Sequence, residues 1–320
     1  PYEWMGFLKK PANREKIWEW LFEQAGECDY AILSVDTLVY GNIIGSRIHT
    51  YSMEECRETM DRFRQLKKQN PQLHIHAFNL AARVAAYNDN HEYWQEYGYD
   101  IWRYTWLWDK KKRAEISEKE AEELESLQKK IPEEIMQDFL ERRKTDRFVN
   151  LTSVELVREN VFDILTVPKD DTAEFGYAAL DQMAIMQKAE GEQLMDRVYC
   201  YPGADEVGSV IFARVFCQIK QYQPVFYVRY SSLTGSSVIP LYEDRPLGES
   251  IKWQILSAGG ICSETPADAD CMLAVNAPGT CQTRKTDEIL LRIMQRIRKS
   301  CCAISGIIRN ITESLSGSAM

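Results

Sequence analysis

Residues 197–216, RVYCYPGADEVGSVIFARVF, constrain the fold of this chain more than any other stretch. Val198 to Tyr201 is β-branched and aromatic, and too short for a helix, so it reads as a buried strand. Pro202-Gly203 breaks it, because proline fixes φ and glycine admits conformations that other residues avoid. Asp205 and Glu206 follow, and from Val207 apolar residues recur with helical spacing through Val210, Ile211 and Val215. Strand, tight acidic turn and helix make the building block of α/β proteins, whose ligands bind at the carboxyl ends of strands. Asp205 and Glu206 stand at such an end. A capping role for Asp205, with Glu206 at the positive end of the helix, accounts for the same two residues without chemistry.

The alternation recurs along the chain. Tyr30 to Val35 reads as a strand that ends at Asp36, with Tyr40, Arg47 and His49 close behind. Ser52 and Glu55 make a capping box for a helix running to about Gln69, where Asn70-Pro71 stops it. Leu73 to Phe78 is the next strand, followed by Asn79 and Arg83. His74 and His76 share one face of it, and a structural role is favoured because no third ligand is in view. A helix from about Ser153 to Asn160 leads to a strand, Phe162 to Val167, that Pro168 ends. Lys169, Asp170 and Asp171 come next. Adjacent carboxylates raise each other's pKa when desolvated, which suits acid/base catalysis or cation binding. The competing reading is an Asx turn and cap ahead of the helix that starts at Tyr177. Val225 to Tyr230 is a strand carrying Arg229, Leu247 to Ser257 a helix, and Met272 to Val275 a strand. Glu243, Asp244 and Arg245 sit just before that helix, where Arg245 either clamps an anion or pairs with its neighbours.

This pattern makes the fold class α/β. The expected organisation is a TIM-barrel-like or doubly wound parallel sheet over residues 1–223, with a solvated helical insertion at about 110–145. A smaller α/β unit over 224–282 and a divergent basic tail over 283–320 complete it. Tyr97, Ile101, Tyr104 and Trp108, with Trp94, recur at spacings of three and four as a core-facing stripe, which leaves Trp102 and Trp106 as flat surfaces for a sugar ring or a partner.

A net charge of −9 argues against nucleic acid as a partner. No run of 18 apolar residues suggests a membrane partner, and no signal peptide opens the chain. Nine cysteines without a CxxC pair fit free thiols in a reducing compartment, so a cytoplasmic location is expected. GxGxxG after a strand, GxxxxGK[ST], GxSxG and HExxH are all absent, and no cofactor is expected.

The runs SVDTLVYGNIIGSR, KDDTAEFG, YPGADEVG, YVRYSS and YEDRPLGES together resemble a bacterial family known only as domain of unknown function 4127. The resemblance covers about Trp18 to Pro278. It implies a strand unit with an Asp/Glu-Arg-Pro motif ahead of Pro1 and a Gly-Trp-Asn-Thr segment after Asn276, and it brings no activity with it. The functional expectation therefore rests on the residues: a hydrolase-like enzyme acting on a carbohydrate or related polyol. Asp170, Asp171, Asp205 and Glu206 supply acid and base. Asp36, Tyr40, Arg47, Asn79, Arg83, Arg229, Glu243, Asp244 and Arg245 orient the small-molecule ligand. The alternatives are a non-catalytic sugar- or anion-binding protein and a metal-dependent hydrolase, the latter with no ligand set assigned. Asp36, Asn79, Asp171, Asp205 and Arg229 are expected to line a single cleft.

Overall fold

The computed structural model describes residues 2–88, 96–170, 173–240 and 243–277. The chain divides into two compact units, Pro1–Val215 with Leu241–Asp244, and Phe216–Pro240 with the residues from Arg245 onward.

In the first unit the elements run α1 (Arg14–Gln24), β1 (Tyr30–Ser34), α2 (Val35–Tyr40), α3 (Gly45–Ile48), α4 (Met53–Gln69) and β2 (His74–Phe78). Then come α5 (Gly98–Arg113), α6 (Glu118–Lys130), α7 (Glu133–Arg158), β3 (Ile164–Lys169), α8 (Tyr177–Gly191), β4 (Val198–Pro202) and α9 (Val207–Lys220), which runs across the division. The four strands form one parallel sheet in the order β1-β2-β3-β4. The α/β class is as expected, with an open parallel sheet. The TIM-barrel alternative is not what forms, because β1 and β4 remain edges and do not pair among the described residues.

Register explains the core. Leu33 pairs with Ala77, Ala77 with Leu165, Leu165 with Val198, and Val167 with Cys200, so all lie on one face. That face packs against Trp18 and Leu21 of α1, Met60 and Phe63 of α4, Val154 of α7 and Ile185 of α8. Phe63 is fully buried, edge-on to Trp18 at 4.9 Å and to Phe162 at 5.2 Å. Truncating such a ring costs about 3–5 kcal/mol.

Three local expectations need correction. The first strand ends at Ser34 rather than Val35, and residues 35–40 form a helix: the Ser34 hydroxyl accepts from the Thr37 amide at 3.1 Å, and Gly41, with φ of 94°, closes the far end. Pro168 lies inside β3, paired with Tyr201, and its carbonyl accepts from the Ala81 amide, so the strand runs on to Lys169. The charged stretch is not a separate solvated insertion. α7 continues through to Arg158 and buries Arg142, Arg143 and Asp146, because each finds a polar partner. The Ser52–Glu55 capping box forms as expected.

The second unit contains β5 (Val225–Tyr230), α10 (Leu247–Ser257), β6 (Ile261–Ser263) and β7 (Cys271–Val275). Its three strands are parallel, in the order β6-β5-β7. The helix ends at Ala258 with Gly259 at φ of 86°, the left-handed turn that glycine tolerates. The six described cysteines are free thiols. Among the described residues no helix is long and apolar enough to cross a membrane. The basic tail after Thr283 lies outside the described residues.

Candidate functional site at the strand ends of the first unit

Because the strands are parallel, the residues that follow them gather at one edge of the sheet. Asp36, in the first turn of α2, is completely buried there. Its carboxylate accepts from Asn79 Nδ2 at 3.3 Å and from the Leu80 amide at 2.9 Å. Asn79 in turn accepts from Asn150 Nδ2 at 2.7 Å and from Ser153 Oγ at 3.2 Å, both on α7. Burial pushes the Asp36 carboxyl up to about 7, against the pull of its two hydrogen bonds. The result is a titratable group near neutrality, shut away from water.

A second buried group adjoins it. The Tyr40 ring stacks on His49 at 4.6 Å. His49 Nδ1 accepts from the Tyr51 amide at 3.2 Å, which assigns the ring proton to Nε2, where it donates to Asp146 at 3.1 Å. Both histidine nitrogens are therefore occupied, and the ring is held in place rather than poised as a base. Burial, and next the Asp146 charge, hold the Tyr40 phenol well above its ordinary range, so it stays a neutral hydroxyl.

Closer to solvent the groups are ionic. Arg47, from α3, donates to Asp170 Oδ2 at 2.5 Å, and Arg83 stands 3.8 Å from the other oxygen. The side chains of Arg47, Arg83 and Asp170 are 4%, 15% and 12% exposed. Arg83 also donates to the Tyr87 hydroxyl at 2.6 Å. Next to Asp170 in sequence, Lys169 donates to Asp244 at 2.5 Å. Segments following three strands, together with residue 244, thus bring cations and carboxylates together. A carboxylate between two guanidinium groups acts as an anchor and hydrogen-bond acceptor rather than as a proton donor.

Asp205 and Glu206 are exposed in the turn before α9. Arg229 is exposed on β5, and Arg245 pairs with Glu249 at 3.3 Å; both belong to the second unit. Glu243 is half-buried in the short segment that also carries Asp244. Asp171 lies outside the described residues. Of the five residues expected in one cleft, Asp36 and Asn79 are in direct contact. Trp102 and Trp106 are not free platforms: Trp102 packs on the cluster of Ile101, Ile131 and Phe139, and Trp106 meets Phe175 edge-on at 5.2 Å. His74 is paired with Asp163 and His76 is buried. Among the described residues no three His, Cys, Asp or Glu side chains are placed to share a metal ion.

Asp146, Asn150, Ser153 and Lys169 take part in these networks although the sequence reading did not single them out. Asn150 and Ser153 carried a signal: polar residues three apart on one helix face, in a run without Gly or Pro.

Comparison with curated proteins and with solved structures finds no match. One family model does match, over residues 1–310, which extends beyond the motif-bearing stretch at both ends and takes in most of the basic tail. The chain thus belongs to the family described as "Protein of unknown function (DUF4127)".

Proposed function

We propose that the first unit binds a small polyhydroxylated molecule bearing an anionic group at the carboxyl ends of its strands. The observation behind this reading is the Arg47–Asp170–Arg83 cluster, assembled from segments far apart in sequence and largely withdrawn from water. Guanidinium forks match carboxylate and phosphate oxygens, and an ionised aspartate beside them accepts hydrogen bonds from hydroxyl groups. The reading favours binding over the two-carboxylate hydrolase, since Asp170 is ion-paired and Asp205 and Glu206 are exposed. Thermal-shift titration with glucuronate, glucose 6-phosphate and glucose tests it. The anionic sugars should raise the melting temperature by more than glucose does, and Arg83→Met should abolish that extra rise. No shift with either anionic sugar would count against the reading.

A second reading, hydrolysis, is favoured by one observation: Asp36 titrates near 7, where a general acid or base works best at neutral pH. Turnover of aryl glycosides, lost in Asp36→Asn with the fold retained, would support it. A protein that binds anionic sugars without turning over any such substrate is a binder.

A further inference from the structure

The second unit carries a half-open pocket of about 410 Å³ that the reading above does not use. Small-molecule pockets typically run from about 300 to 1,000 Å³. Tyr227 and Tyr230 on β5 line it, with the Tyr230 side chain turned toward α10, as do Ser236 in the turn before that helix, Glu249 and Lys252 on the helix itself, and Glu264 just after β6. Glu249 and Lys252 are three apart on the helix and so share a face. Arg245 pins Glu249 at 3.3 Å, which orients one wall before any ligand arrives. Gly248 makes a close approach: a Cβ there would stand 3.1 Å from Ser236 Cβ and 3.2 Å from the Tyr230 hydroxyl. Its absence lets the first turn of α10 close against these two hydroxyl-bearing residues.

The chemistry of the lining selects among ligands. Two carboxylates against one ammonium give no excess of positive charge, which disfavours phosphate and carboxylate ligands. An aromatic ring such as that of Tyr230 suits the apolar face of a sugar ring, and hydroxyl, carboxylate and ammonium groups supply the donors and acceptors that its hydroxyls need. We propose that this cavity is a binding site for a neutral, monosaccharide-sized polyol. The assignment does not depend on the function proposed for the first unit.

Saturation-transfer NMR on the whole chain with glucose, galactose, xylose and myo-inositol tests it, with phosphate and putrescine as charged probes. At least one of the four neutral compounds should bind saturably. Lys252→Ala and Glu264→Gln alter exposed side chains and should leave the melting temperature unchanged. Each should weaken that binding fivefold or more, whereas Arg83→Met in the first unit should leave it in place. No saturable binding of any neutral compound overturns the proposal. Binding of putrescine or phosphate alone also overturns it, as does neutral-sugar binding that survives both cavity substitutions or disappears with Arg83→Met.

Discussion

Arg47 and Asp170 are 123 residues apart in sequence and meet at 2.5 Å, with side chains only 4% and 12% exposed. The pair ties α3 to the end of β3. Arg47→Met removes the guanidinium that stands 2.5 Å from Asp170 and leaves Arg83 at 3.8 Å. Removing one partner of a buried ion pair costs about 3 kcal/mol. Asp170→Asn in the same chain should recover part of that loss, with a coupling of about 1 kcal/mol or more in a double-mutant cycle by urea unfolding. Strictly additive losses would show that the pair contributes no coupling.

Asp36 gives a pH signature of unusual sign for a carboxyl. Its pKa is raised from 3.8 to about 7, so between those values the folded chain keeps a proton that the unfolded chain has released. Stability from this group is fully present below pH 3.8 and is lost as pH rises through 7. Asp36→Asn removes the titration but turns an amide NH₂ toward a donor, either Asn79 Nδ2 or the Leu80 amide. The variant should be weaker than wild type by about 1–3 kcal/mol at low pH. That deficit should shrink as pH is raised from about 4 toward 7 and level off above it. Urea unfolding across that range checks this, and a deficit independent of pH would contradict it.

Much of the fold was legible because its signals are local. The limits of β5 and α10 follow from a β-branched run and from a helical run with glycines after it. The capping box at Ser52 needs only two side chains three residues apart. What was missed is non-local or too short to show a period. Helix α2 spans six residues, VDTLVY, too few to show a helical period, and only the Ser34 cap and Gly41 taken together mark it. Arg142 and Arg143 look like solvent-facing charges, yet they are buried because His49 and Ala82 offer their carbonyls. The same holds for the site. Asp36, Arg47, Asn79 and Arg83 were visible as polar residues after strands, but no local pattern announces that Arg47 pairs with Asp170, 123 residues away.

Gly41 carries a specific demand. It combines a φ of 94° with a close approach in which a Cβ would stand 2.5 Å from Pro11 Cβ. Gly41→Ala therefore adds steric overlap to backbone strain of about 1–3 kcal/mol. The variant should lose at least that much stability, more than the roughly 1 kcal/mol expected for Ser52→Ala at the capping box. Thermal or urea unfolding of the two variants side by side decides the ranking, and an equal or smaller loss at Gly41 would refute it.

The most direct test of the central claim is isothermal titration of glucuronate and glucose 6-phosphate into wild type and Arg83→Met. Arg83 is half-buried at the edge of the cluster, with Asp170 at 3.8 Å and Tyr87 at 2.6 Å, so its loss perturbs the site more than the core. The account expects measurable binding of at least one of the two compounds to wild type. It expects a tenfold or greater loss of affinity in the variant, about 1.4 kcal/mol, with the melting temperature nearly unchanged. Binding of equal strength in both proteins, or none in wild type, would contradict it.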